Sequence, residues 1–270
     1  MTRIAETLSI SRPHLSTSAK SPEPGRRLSG RPGDVELLAR MAPHVAERPS
    51  NGYRRICARL NRETPEKPVN HKRAYRVMRE AGLLLPKYGV RPVRLHDGKV
   101  ITMASDLRWC SDGFEIRCWN GEKVHVAFSL DCCDREVIAW VARATHLDGA
   151  CIRDLIAETV EARFAATKVP HPIEWLTDNG PPFTANETRA FGATCGLLMR
   201  NTPAYSPESN GMAEAFVKTF KRDYVYLARL ADAASVLEQL RAWFLDYNET
   251  HPHKGLKMLS PRQFRRANLA

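Results

Sequence analysis

Residues 107–143 read LRWCSDGFEIRCWNGEKVHVAFSLDCCDREVIAWVAR, and the way this stretch pairs with itself decides the fold. It holds three strand-like runs, 107–119, 123–132 and 135–143, rich in β-branched and aromatic residues. Asn120-Gly121 between the first two is a strong hairpin signal, so the expectation is an antiparallel meander. Asp112 lies inside the first run, where strand propensity is poor and a buried carboxylate is costly. Such a residue needs a partner, and a metal ion is a natural one.

Downstream the pattern changes. DGACIRDLIAETVEARFA (148–165) reads as a helix, PIEWLTD (172–178) as a strand, ANETRAFGATCG (185–196) as a helix, LLMRNT (197–202) as a short strand, and 211–248 as one or two helices. A meander followed by alternating helix and strand implies an α/β fold with a mixed sheet and helices on its faces. Asp178 then ends a strand, where open α/β sheets usually place their sites, although Asp-Asn-Gly is also ordinary turn chemistry. Asp131, at another strand end, is expected to be structural, and Asp106 and Asp134 to be turn residues.

The segment SPESNGMAEAFVKTFKRDY (206–224) runs from Ser-Pro and Asn-Gly turns into a helix with Glu214 on its first turn. Phe216, Phe220 and Leu227 are expected to form the buried stripe, leaving Glu214, Lys218, Lys221 and Arg222 on another face. Read alone, Glu214 is the i,i+4 partner of Lys218, worth about 0.2–0.5 kcal/mol. Its order relative to Asp112 and Asp178 makes the three acids together more specific than any one of them.

The net charge of +11 is unevenly distributed. Residues 1–97 hold 20 Lys/Arg against 9 Asp/Glu, whereas 98–270 hold 21 of each, so the excess lies in the N-terminal third. A basic module joined to a charge-balanced one fits binding of a polyanion by the first and action on it by the second. Residues 1–34 read as a short partial element and a Ser/Pro/Arg-rich basic linker. Residues 35–97 carry three helical patterns with Asn70 as an N-cap and Gly82 as a stop. In the last of them Tyr75, Met78 and Leu83 are expected to face a small core, with Lys72, Arg73, Arg76 and Arg79 on other sides. Two short helices and a basic one fit a helix-turn-helix module whose later helix meets phosphates or a groove. Residues 98–270 form the third region.

Seven cysteines with no C-x-x-C pair argue against a zinc cluster or a disulfide framework. No apolar leader core and no run of about 18 apolar residues is present, so no membrane partner and a cytoplasmic, nucleoid-associated location are expected.

The stretches GYRRICARLNR, VNHKRAYRVMREAGLL, RWCSDGF, LDCCDREVIAW, EWLTDNG, SPESNGMAEAFVKTFKRDY and YNETHPHKGL…SP resemble, in family order, the catalytic frame of insertion sequence 3 family transposases, in particular the insertion sequence 2 group. Through that family the chain is similar to the retroviral-integrase-like DDE superfamily. The resemblance implies an RNase H-like five-stranded mixed sheet in which the first and fourth strands are neighbours, preceded by the small all-α domain. It implies Asp112, Asp178 and Glu214 as catalytic and metal-binding acids, with Glu214 mapped by the pattern Asn-Gly-x-x-Glu. It implies Mg²⁺ or Mn²⁺, with two ions for an in-line phosphodiester displacement, and DNA ends and target as partners. Lys218, Lys221, Arg222, Asn179, Arg54, Arg55, Lys72, Arg73 and Arg76 become candidate DNA contacts, Asn179 being open also to a turn role. His251 and His253 resemble the family's tail motif, as DNA contacts or structural residues. The start of the chain resembles the end of a helix-turn-helix, so a frameshift fusion with an upstream product is expected, as is a dimer or larger synaptic complex. Gly-Phe after Asp112 and the tail LKMLSP depart from many members. The alternatives are a DNA-binding regulator without catalysis, a decayed transposase scaffold, and an RNase H-fold nuclease; the last is disfavoured by the basic N-terminal module.

Overall fold

The computed structural model describes residues 31–86, 102–202 and 210–269. Residues 1–30 of the expected basic linker region, part of the stretch between the helical region and the sheet, and the Ser206-Pro207 turn lie outside the described residues. The chain falls into two compact units, Met1–Pro92 and Val93–Ala270, each taken by itself below.

The first unit contains α1 (Asp34–Glu47), α2 (Tyr53–Glu63) and α3 (His71–Glu80). Asn70 caps α3 by accepting the Lys72 N–H at 2.9 Å. At the other end Gly82 takes φ 71° and the Leu83 N–H reaches back to the Met78 carbonyl at 2.8 Å, closing the helix as a left-handed glycine allows. Leu37, Met41, Ile56, Leu60, Ala74, Val77 and Met78 make the core. Tyr75, expected inside, is only half-buried and packs edge-on against Tyr53 at 5.0 Å. One residue is about 100° of helix, and Ala74 and Met78 hold the inward positions.

In the second unit β1 (Arg108–Arg117), β2 (Lys123–Asp131) and β3 (Val137–Arg143) form the antiparallel meander. Gly121, at φ 92°, donates to the Cys118 carbonyl at 3.1 Å in the first turn. Then come α4 (Gly149–Phe164), β4 (Ile173–Thr177), α5 (Pro181–Thr184), α6 (Asn186–Thr194) and β5 (Leu197–Asn201). β4 runs parallel to both β1 and β5, so the sheet has the order β3-β2-β1-β4-β5 and is mixed. This is the RNase H-like arrangement.

The two sheet faces have separate cores. Trp109, Ala127, Ile173 and Trp175 meet Ile152, Leu155 and Ile156 of α4 on one face. On the other, Cys110, Phe114, Phe128 and Leu130 meet α7 (Gly211–Asp223) and α8 (Ala233–Glu249) through Phe216, Phe220, Val236, Leu240 and Phe244. Leu227 does not join the α7 stripe: the helix ends at Asp223, a 3₁₀ turn follows at Val225–Leu227, and Leu227 is 45% exposed. Asn248 pins α8 to the edge strand with both amide atoms, accepting from the Val137 N–H at 2.9 Å and donating to its carbonyl at 2.8 Å.

At the end of the sheet where β1 begins, Arg163 of α4 is buried among Asp106, Asp131, Asp134 and Glu136, with its shortest contacts, to Asp106 and Glu136, at 2.7 Å. Arg262 and Arg265 of α9 (Pro261–Leu269) reach the same acids. Asp131 is structural, as expected. Asp106 and Asp134 are more than turn residues, because their carboxylates belong to this network. Burial pushes the Asp134 carboxyl up to about 7, with the neighbouring Asp131 carboxylate adding to it.

Candidate active site

Strand alternation decides where Asp112 points. Cys110, Phe114 and Ile116 all belong to the core beneath α7 and α8, so Asp112, in the same phase of β1, faces that side. In the parallel pair Cys110 lies opposite Leu176, and the paired register ends there. Two residues further along each chain are Asp112 and Asp178. Leu176 also packs against the α7 side, which sets the phase for Asp178.

Asp178 follows β4 directly and its loop is fixed by short bonds. The Gly180 N–H donates to Asp178 Oδ1 at 3.0 Å, and Asn201 donates to the Asp178 carbonyl at 3.2 Å. Asn179 donates to the Thr202 carbonyl at 3.1 Å, which holds this loop against the end of β5.

Glu214 lies on the first turn of α7. Asn210, in the N-cap position, makes no capping bond; its side-chain N–H donates instead to the Ser111 carbonyl at 3.2 Å, so the start of α7 is tied to the residue before Asp112. Asn210 is 5% exposed, and its Oδ1 has no hydrogen-bond partner among the described residues. Glu214 pairs with Lys218 at 3.2 Å, the local i,i+4 contact.

Electrostatics link the three acids. The Asp112 carboxyl is pushed up to about 6, first by burial and further by the Asp178 and Glu214 carboxylates, against the favourable 2.7 Å bond from the Gly113 N–H. Each acid raises the cost of ionising Asp112, as like charges sharing one site do. Among the described residues no group of three acids is closed to metal-binding spacing. The donor set is nonetheless all oxygen, and Asp112 keeps acceptor capacity beyond its one backbone bond, which suits a hard divalent cation.

The basic candidates separate. Lys218 is 78% exposed beside Glu214. Lys221 lies 5.6 Å from the Phe114 ring centre, and burial lowers the pKa of its ammonium. Arg222 grips Asp223 with two 2.6 Å bonds. In the first unit, Arg73 and Arg76 bind buried Asp34 at 2.9 and 2.7 Å, which engages them internally. Arg54 and Lys72 are exposed and Arg55 half-buried. His251 and His253 are buried against Tyr247 at 5.5 and 5.1 Å, packing in the corner after α8. Sequence reasoning missed the Asn210 tie, Asn248 and the Arg163 network. Asn-Gly four residues before Glu214 was the available signal for the first; the others are long-range contacts with no local pattern.

A mixed sheet in this order, helices on both faces, one acid inside the central strand β1 and another just after its neighbour β4 are the features of the integrase and transposase class of RNase H-like proteins. Integrase core domain models match residues 104–207 and 196–261, and an HTH-like domain model matches residues 34–91. The chain is 43% identical over 247 residues to the Escherichia coli transposase InsD for insertion element IS2, covering 90% of this chain and 82% of that one. It is 54% identical over 187 residues to an uncharacterized protein of insertion element IS136 from Agrobacterium fabrum, covering 68% and 96%. Among solved structures, a simian T-cell lymphotropic virus intasome chain, in complex with a PP2A regulatory subunit, shares the fold with a TM-score of 0.50 at 13% identity, covering 84% of this chain and 74% of that one. The chain belongs to the insertion-element transposases with an integrase core, of the insertion sequence 2 type. It is a DNA transposase of the DDE class, and the reading as a non-catalytic regulator is not favoured. No described helix is long and apolar enough to cross a membrane.

Proposed function

We propose that Asp112, Asp178 and Glu214 are the catalytic carboxylates of this transposase and that they hold divalent magnesium or manganese, as two ions. The observation that carries the reading is that Asp112 faces the α7 side of the sheet and its carboxyl is raised, beyond burial, by the charges of both Asp178 and Glu214. When bound, the cations would offset the three negative charges, activate a water or a DNA 3′-hydroxyl and stabilise the leaving oxygen. The chain's own contribution is placement. The Asn210 bond holds the α7 start beside β1, and the Gly180 and Asn201 bonds hold the Asp178 turn. In strand transfer the attacking oxygen forms a new bond to phosphorus as the bond to the departing 3′-oxygen breaks, so one phosphodiester replaces another. The two ends of an element must be held at once, which calls for a synaptic dimer or larger complex, with the upstream frameshift product supplying further end recognition.

The test is cleavage and joining of labelled element-end DNA by the wild type, Asp178→Asn and Glu214→Gln in magnesium. We expect DNA binding to persist in both variants while joining falls by on the order of a thousandfold or more, as for removal of essential groups elsewhere. Equal joining by all three proteins would overturn the assignment.

A further inference from the structure

The circumference of α3 is divided into three stripes. Ala74, Val77 and Met78 form the inner one. Arg73 and Arg76 form the second and bind Asp34, whose side chain is 0% exposed. Burial alone would raise the Asp34 carboxyl, but the bonds and charge of Arg76 and Arg73 outweigh it and hold the group below its ordinary range. Lys72, Tyr75 and Arg79, at i, i+3 and i+7, form the third stripe; Lys72 and Arg79 are exposed and Tyr75 is half-buried.

This third stripe continues onto α2. The Arg79 guanidinium lies 6.0 Å from the centre of the Tyr75 ring, Tyr75 meets Tyr53 edge-on at 5.0 Å, and the Arg54 guanidinium lies 5.6 Å from the Tyr53 ring. The result is a row of two cations and two rings running across the two helices, with Lys72 beside it. Among the described residues the side-chain contacts of Arg54 and Arg79 are to rings, not carboxylates, and no described acid pairs with Lys72.

We propose that the row Arg54, Tyr53, Tyr75, Arg79, with Lys72, is the surface by which the N-terminal unit grips the phosphate backbone of duplex DNA. The proposal rests on the transposase reading for the identity of the polyanion. Charge complementarity selects the partner: residues 1–97 carry 20 basic against 9 acidic residues, and no carboxylate among the described residues holds the cations of this row, unlike Arg73 and Arg76. Stacking on tyrosine restricts each arginine before binding, so less side-chain freedom is lost when a phosphate is contacted. Arg73 and Arg76, which a sequence-level reading places on DNA, instead hold α3 against the start of α1.

The test uses the full chain in EDTA, so that no strand chemistry intervenes, with fluorescence anisotropy on a labelled element-end duplex and on an unrelated duplex across a salt series. Arg54→Gln, Lys72→Gln and Arg79→Gln should each lower the slope of log affinity against log salt by about 0.9, and the triple variant by roughly the sum, on both duplexes. Tyr75→Leu should weaken binding several-fold with the slope nearly unchanged. Arg73→Gln should lower the melting temperature and leave the slope of the folded protein unchanged. A folded triple variant with wild-type slope and affinity would overturn the proposal, as would an Arg73→Gln slope change equal to that of Arg79→Gln. Equal joining by wild type, Asp178→Asn and Glu214→Gln in magnesium would instead count against the catalytic assignment, which the salt series in EDTA does not touch.

Discussion

At the scale of single residues, the proposed role of Asp112 sets activity against stability. Its carboxyl, at about 6 in the fold against an ordinary 3.8, adds no penalty below about pH 4, and the cost grows as pH rises from there to be complete above about 6. The size of that cost, after allowing for partial solvent screening, is on the order of 2 kcal/mol. Asp112→Asn should therefore melt about 2–6 °C above the wild type in EDTA at pH 8, with the difference shrinking as pH falls through about 6 and vanishing only below about pH 4. Magnesium should raise the melting temperature of the wild type and leave that of the variant in place; a variant less stable than wild type at pH 8 would contradict the repulsion. Asn210 makes the opposite case, since its value lies in aim. Asn210→Ala should cost about 1–2 kcal/mol for the lost buried bond yet lower the joining rate by about a hundredfold through misplacement of Glu214. Asn210→Asp should be equally slow, because a carboxylate cannot donate to the Ser111 carbonyl, and wild-type joining rates in both variants would remove the tie from the mechanism.

At the scale of elements, the Arg163 network joins α4, β2, the β2–β3 turn and α9. Arg163→Met should cost about 3–5 kcal/mol in urea unfolding at pH 8, since it leaves four acids without their central cation. Asp131 and Asp134 are already raised by burial, so protonation relieves them and the penalty should shrink toward pH 5. A pH-independent penalty would mean that packing, not charge, is what Arg163 supplies. The order of strands and helices was legible in the sequence because hydrophobic period and turn chemistry are local: Asn70, Gly82 and Asn120-Gly121 all mark real boundaries. Leu227 was misread because a periodic pattern does not record where a helix stops. Arg163 could not be read at all, since its acids lie 27 to 57 residues away and nothing local links them, Asp106 and Asp134 reading as turn residues. Likewise Arg73 and Arg76 looked available, because nothing local pairs them with Asp34, 39 or more residues upstream. The three proposed acids, by contrast, follow from the family pattern, whereas the common phase of Asp112 and Asp178 required the β1–β4 register.

At the scale of the whole molecule, the helical unit and the sheet unit have separate cores, so we expect two calorimetric transitions. Met41→Ala should lower only one of them and Phe220→Ala only the other, each by about 2–5 kcal/mol from an emptied core position; a single transition shifted by both would show that the units unfold together. The parallel pairing of β1 with β4 carries a consequence for biosynthesis. The chain must deliver β2, β3 and α4 before β4 can dock, and a contact this distant in sequence forms late and slowly. On the proposed site, a nascent or prematurely terminated chain holding only the first hairpin carries one acid of three. DNA-cutting capacity would then emerge only in a chain that has been translated through α7, and abortive translation products would be harmless to the genome that encodes them.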